Sequence, residues 1–117
     1  MVTISDECES MVHDATRKYG DEMGRWVAMV LSIGCLRSRY RPDDRPHLTR
    51  DALDRLAKTK GASEMERVAA AFCVAVFNGE ALSPRTSPRC EVINIAARGD
   101  EQIRRAVAGF IADPFWP

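Results

Sequence analysis

The first segment of the chain repeats its apolar residues with the period of an α-helix. These residues are Ile4, Cys8, Met11, Val12, Ala15 and Tyr19. Their spacing places them on one stripe of a helix. Acidic residues begin the segment and basic residues end it, an order that favours the helix dipole. The pattern predicts an amphipathic helix that stops at Gly20.

The next segment is apolar on nearly every face between residues 26 and 36. We predict a single helix here, from an N-cap at Asp21 to about Tyr40, because Pro42 prevents its continuation. A helix that is apolar all round must be surrounded by other protein. This helix is therefore expected at the centre of the domain or in an oligomer interface.

A second helix of this kind is predicted to include residues 68–77. Ser63 and Glu66 precede it with the spacing of a capping box, and Asn78-Gly79 ends it. Because both helices need cover on all sides, we expect them to pack against each other.

A shorter amphipathic helix is predicted between the two apolar ones. Thr49 is its expected N-cap, and Leu48 and Leu53 have the spacing of a hydrophobic staple around that cap. Lys60-Gly61 is expected to end it.

The end of the chain predicts a final helix and a docked tail. Apolar residues recur with helical spacing from Ile103 to Ile111, and Asp113-Pro114 ends the pattern. The last three residues, Phe-Trp-Pro, are apolar enough that we expect them to fold back onto the domain.

Residues 87–98 leave two interpretations open, because a Ser-Pro start favours a short helix and a Val-Ile-Asn-Ile run suits a strand.

The whole pattern predicts an all-α fold: a compact orthogonal or bundle-like domain of five to six helices around two central apolar helices. We expect residues 1–117 to form this single domain, since 117 residues can bury a substantial core.

Composition limits the location and the chemistry of the protein. The longest uncharged apolar run has 11 residues, too few for a membrane span, and the first residues lack a signal-peptide pattern. Four cysteines without a CxxC pair and two histidines supply neither a zinc motif nor a catalytic triad. We therefore expect a cytoplasmic, non-enzymatic protein with no metal, no cofactor and no membrane partner.

The turn between residues 56 and 63 has the spacing of a DNA-binding helix-turn-helix. The helix after that turn, however, opens with Glu64 and Glu66 and then becomes apolar. Its carboxylates would face phosphates, and exposing Phe72 and Phe77 would cost roughly 1.5–3 kcal/mol each. The turn is therefore predicted to form a helical hairpin instead.

Arginines are the candidate binding residues of the surface. They are Arg37, Arg39, Arg41, Arg45 and Arg50, with Arg85, Arg89, Arg104 and Arg105 as further candidates. Guanidinium groups bind phosphates and carboxylates alike, so a nucleic-acid backbone and an acidic protein partner are both open. A solvated rim of local ion pairs is the other interpretation, because aspartates interleave with these arginines at Asp43, Asp44, Asp51 and Asp54. The 17 basic and 17 acidic residues of the chain cancel, which argues against a dedicated nucleic-acid binder.

The C-terminal half resembles a known family. Ala52-Leu53-Asp54-Arg55-Leu56, a glycine-containing turn, Arg67-Val68-Ala69 and Phe72-x-x-Ala75-x-x-Asn78 are similar to small helical proteins of unknown function from proteobacterial integrative elements and plasmids. The resemblance implies a bacterial mobile-element origin and a helical fold, and it transfers no active site.

The leading functional hypothesis is a non-enzymatic protein of a phage or mobile genetic element that binds another protein. Inhibition of a host defence complex, as anti-CRISPR proteins do, is one concrete form of it. The alternative is nucleic-acid binding through the arginines of residues 37–50. A homodimer is expected if other helices leave the first apolar helix partly uncovered.

Overall fold

The computed structural model describes residues 6–42, 45–79 and 100–117. The all-α prediction is confirmed, because these residues form six helices and no strand. The helices are α1 (Asp6–Tyr19), α2 (Asp21–Ser32), α3 (Gly34–Arg37), α4 (Pro46–Lys58), α5 (Glu64–Phe77) and α6 (Glu101–Ala112). The segment 87–98, with its two interpretations, lies outside the described residues. No described helix has both the length and the apolar character needed to cross a membrane.

A single glycine joins α1 to α2. Gly20 adopts a φ of 99°, which side chains other than hydrogen rarely tolerate, so the chain can reverse at this residue. The predicted N-cap at Asp21 is wrong, because Gly20 takes the cap position and Asp21 is the first helical residue. The Asp21 carboxylate still lies in the first turn, where it favours the helix dipole.

The predicted single helix from Asp21 to Tyr40 is wrong, because the chain is interrupted at Ile33. Ile33 is extended, with φ −94° and ψ 106°, and its side chain is fully buried. The amide of Gly34 donates to Gln102 Oε1 at 2.8 Å, and Arg37 Nε donates to the carbonyl of Leu31 at 2.8 Å. Side chains thus satisfy backbone groups that the break removes from the helical pattern.

The predicted start of the shorter helix at Thr49 is also wrong. α4 begins at Pro46, whose fixed φ and missing N–H suit the first turn of a helix. Thr49 is completely buried inside α4, and its Oγ1 accepts from the amide of Arg41 at 3.4 Å. The predicted staple does not form at this start, because Leu48 is itself helical and 47% exposed. The helix ends at Lys58, two residues before the expected stop.

The capping box of α5 is confirmed in modified form. Ser63 Oγ accepts from the amide of Glu66 at 3.1 Å, and the Ser63 hydroxyl also contacts Glu66 Oε1 at 3.1 Å. Every residue from Val68 to Val76 is buried. The α4–α5 turn forms the predicted hairpin, since α4 packs along α5 and the apolar residues 68–76 of α5 are buried.

The two apolar helices, α2 and α5, form the centre of the molecule and contact each other as predicted. Trp26 of α2 is fully buried and donates from Nε1 to the carbonyl of Cys73 in α5 at 2.8 Å. One cluster of buried apolar residues includes side chains from all six described helices. A single hydrophobic core therefore joins these elements.

The last helix and the tail also follow the prediction. Asp100 caps α6 by accepting from the amide of Ile103 at 2.9 Å. Phe115 is buried with its ring centroid 5.3 Å from that of Phe110, and the amide of Trp116 donates to Glu22 Oε2 at 2.8 Å. The tail therefore folds back across α6 onto the start of α2.

Candidate functional site

An open groove lies between the segment after α3, the outer face of α4 and the α4–α5 turn. We name it the arginine groove, and it encloses about 520 Å³. Its lining residues are Ser38, Arg39, Arg41, Ala52, Arg55, Leu56, Thr59, Gly61, Ala62 and Glu66. This volume is within the range of pockets that hold small ligands.

The groove carries more positive than negative charge. Arg39, Arg41 and Arg55 each contribute a guanidinium, and Glu66 contributes the one carboxylate of the lining. Arg39 lies near Glu66, with 3.9 Å between a guanidinium nitrogen and Oε2. The side chains of Arg41 and Arg55 have no ion-pair partner in the described part of the chain.

The helix break and α4 together position these arginines. The chain leaves α3 through a tight turn in which the amide of Arg39 donates to the carbonyl of Leu36 at 2.9 Å. The Thr49 hydroxyl then holds the backbone of Arg41 against α4. Arg55 lies on the exposed face of α4, while Leu56 beside it is buried.

The negative charge of Glu66 reaches beyond the groove to Cys35 in α3. Burial raises the pKa of the Cys35 thiol above its ordinary value, and the carboxylates of Asp100 and Glu66 raise it further. A raised thiol pKa keeps Cys35 neutral near pH 7, which makes it a poor nucleophile. Among the described residues, no group of histidines, cysteines and carboxylates is arranged to hold a metal ion.

The structure brings only some of the predicted arginines together. Arg39 and Arg41 line the groove. Arg37 instead donates to the carbonyl of Leu31, and Arg45 is exposed at the N-cap of α4. Arg50 lies over the ring of Phe77 at 5.5 Å and contacts Asp51 at 2.9 Å, so its charge is engaged locally.

The remaining predicted arginines are not part of this groove. Arg104 and Arg105 are exposed on α6, where Arg105 pairs with Glu101 at 2.6 Å. Arg85 and Arg89 lie outside the described residues.

Two charged residues of the groove, Arg55 and Glu66, are not among the predicted binding residues. A signal for Arg55 exists in the sequence: Ala52, Arg55 and Thr59 are spaced by three and four positions and share a helix face. The sequence pattern identifies Glu66 only as a capping residue. Its second contact, with Arg39, depends on the packing of α5 beside the segment after α3.

A second, apolar pocket of about 240 Å³ lies between α2, α6 and the tail. Met29, Phe110 and Phe115 are among its lining residues, and Arg25 is at its edge. Arg25 is already engaged, with its guanidinium 4.6 Å from the Phe115 ring centroid and 3.1 Å from Asp113 Oδ2. The arginine groove is therefore the better candidate site, because it presents charge that has no partner among the described residues.

No family model matches the sequence, and no curated protein or solved structure is significantly similar to it. The resemblance to the mobile-element family stays a prediction, and the functional argument rests on the geometry of the groove.

Proposed function

We propose that the protein is non-enzymatic and acts by binding another protein, with the arginine groove as its contact surface. The observation that carries this proposal is the pair Arg41 and Arg55, which line a common groove and are not engaged by any described carboxylate. Guanidinium groups held on a folded surface form charge-assisted, two-pronged hydrogen bonds with carboxylates.

The burial of the apolar residues of α2 and α5 in the core supports a surface-binding role. The central helices are occupied by packing: every residue of α5 from 68 to 76 is buried, and Trp26, Val27 and Val30 of α2 have no exposed surface. Charged side chains make up much of the exposed surface of the described residues, and the arginine groove is a concave part of that surface.

The biological setting belongs to the same proposal. Inhibition of a host defence complex by a protein from a phage or mobile element, as in anti-CRISPR proteins, is one form of such binding, and it rests on the predicted mobile-element origin of the chain. The homodimer was expected only if the first apolar helix is left partly uncovered. Met23, Trp26 and Val30 of α2 are covered within one chain, so α2 gives no support for a dimer.

Capture of a partner from bacterial lysate tests the proposal. Immobilised full-length protein is compared with the double variant Arg41→Ala/Arg55→Ala and with Arg104→Ala/Arg105→Ala, which removes the same charge from α6. We expect the wild type and the α6 variant to retain the same protein and the groove variant to lose it. Equal retention by all three would contradict a role for the groove.

Nucleic-acid binding is the second candidate function. It is favoured by Arg39, Arg41 and Arg45, which are exposed and precede the N-terminus of α4. Such binding would weaken with salt, and the slope of log affinity against log salt would become shallower in Arg39→Ala/Arg41→Ala. An unchanged slope in that variant would remove this candidate.

A further inference from the structure

The carboxylate of Glu66 stands beside Arg39 in the arginine groove, where a carboxylate from a binding partner would be expected. Resting on the proposed function, we infer that the groove recognises an acidic peptide segment and that Glu66 competes with the carboxylates of that segment. Arg41 and Arg55 each take one acidic side chain, and a third displaces Glu66 from Arg39.

The contact between Arg39 and Glu66 is suited to displacement. The 3.9 Å separation is at the upper limit of an ion pair and too long for a hydrogen bond. Side-chain exposure is 48% for Arg39 and 29% for Glu66, so solvent weakens their attraction. The other oxygen of Glu66 contacts the Ser63 hydroxyl at 3.1 Å, which gives the carboxylate a second partner when Arg39 is taken.

The groove contains guanidinium donors and the acceptor oxygens of Glu66, and this combination favours a peptide over a polynucleotide. A peptide offers carboxylates to Arg41 and Arg55 and also backbone N–H groups to the oxygens of Glu66. A nucleic-acid backbone also presents negative charge at every step, but it has no backbone N–H groups to offer Glu66, so the repulsion by this carboxylate is not offset by hydrogen bonds. Asp54, on the same helix as Arg55, is engaged by Lys58 at 3.0 Å and leaves the arginines unneutralised.

The experiment measures binding of a fluorescent hexaglutamate peptide to the full-length protein by anisotropy at low salt. An otherwise identical hexaglutamine peptide controls for size. We expect hexaglutamate to bind and hexaglutamine not to bind. Arg41→Ala and Arg55→Ala should each weaken binding roughly tenfold, which corresponds to the loss of one charged hydrogen-bonding group.

The competing role of Glu66 has its own matched control. Glu66→Gln should strengthen hexaglutamate binding about threefold, as expected for removing a negative charge about 6 Å from the ligand in water. Glu101→Gln makes the same change on α6, where the carboxylate pairs with Arg105 outside the groove, and should leave affinity unchanged. Circular dichroism of both variants establishes that α5 and α6 remain folded.

Several outcomes would overturn the inference. Equal binding of the two peptides would exclude recognition of carboxylates. An equal response of Glu66→Gln and Glu101→Gln would exclude the competing role of Glu66. Tighter, Arg41-dependent binding of a single-stranded hexanucleotide would assign the groove to nucleic acid. If lysate capture depends on Arg41 and Arg55 while hexaglutamate does not bind, the proposed function stands and this inference falls.

Discussion

Gly24 sets how closely α1 and α2 approach each other. A Cβ at this position would lie 1.9 Å from Thr16 Oγ1 and 3.2 Å from the Thr16 Cα, so the side chain and the backbone of α1 are both in the way. The Thr16 hydroxyl is already committed to the carbonyl of Val12 at 2.8 Å. Hydrogen is therefore the only side chain that this contact accommodates without movement of a helix.

Alanine at Gly24 and at Gly109 should change stability in opposite directions. Gly24→Ala should lower the free energy of unfolding, because overpacking costs about 1–3 kcal/mol and exceeds a helix-propensity gain of up to about 1 kcal/mol. Gly109 in α6 has nothing within 4 Å of an added Cβ, so Gly109→Ala should stabilise by up to about 1 kcal/mol. Urea unfolding followed by circular dichroism measures both, and shifts of the same sign would contradict this explanation.

At the scale of the element, helix ends depend on side chains that satisfy backbone amides. Ser63 accepts from Glu66 at the start of α5, and Asp100 accepts from Ile103 at the start of α6. Both interactions lie within four residues of chain, so they act as soon as the helix forms. In α5 the same serine also contacts the Glu66 carboxylate, which links the helix start to the arginine groove.

Removal of either cap should destabilise the protein by a similar amount. We expect Ser63→Ala and Asp100→Ala each to reduce the free energy of unfolding by about 1 kcal/mol, and Asp100→Asn to retain most of the stability. Ser10→Ala is a matched control, since Ser10 is exposed within α1 and should change stability by less than about 0.5 kcal/mol. Thermal or urea unfolding of the four variants tests the prediction, which an equal effect at Ser10 and Ser63 would contradict.

At the scale of the whole molecule, the C-terminal tail closes the structure across distant elements. Arg25 of α2 donates to the carbonyl of Asp113 at 2.6 Å and lies over the Phe115 ring, while Glu22 accepts from the amide of Trp116. Phe115 is 5% exposed, whereas Trp116 is 58% exposed. The tail therefore attaches through one buried ring and through backbone groups.

Alanine substitution of the two aromatic residues of the tail should separate the contribution of the buried Phe115 ring from that of the backbone groups. Phe115→Ala should lower the free energy of unfolding by about 3 kcal/mol, as for other buried aromatic residues. Trp116→Ala keeps the backbone amide that binds Glu22 and should cost less than about 1 kcal/mol. Urea unfolding measured by circular dichroism distinguishes them, and a larger loss for Trp116→Ala would show that the tail is held in a different way.

The groove shows the limit of reasoning from the sequence alone. Arg39 and Arg41 could be selected from a run of arginines, but so could Arg50, which stacks on Phe77, and Arg37, which binds a backbone carbonyl. The neighbouring sequence does not distinguish these four arginines, because all of them lie near the same predicted loop. Arg55 and Glu66 enter the site only because α4 and α5 pack beside the segment after α3.

The sequence by itself determines four features of this protein. They are the amphipathic α1, the buried character of α2 and α5, the cap of α5, and the final helix with its docked tail. These features depend on hydrophobic periodicity and on hydrogen bonds within about four residues, so each segment contains their cause. The break at Ile33 and the burial of Thr49 were decided by tertiary structure. Both depend on hydrogen bonds to residues more than four positions away. Gly34, just after the break, bonds to Gln102, and Thr49 bonds to the amide of Arg41. Patterns within one segment do not predict such contacts, because the fold brings the partners together.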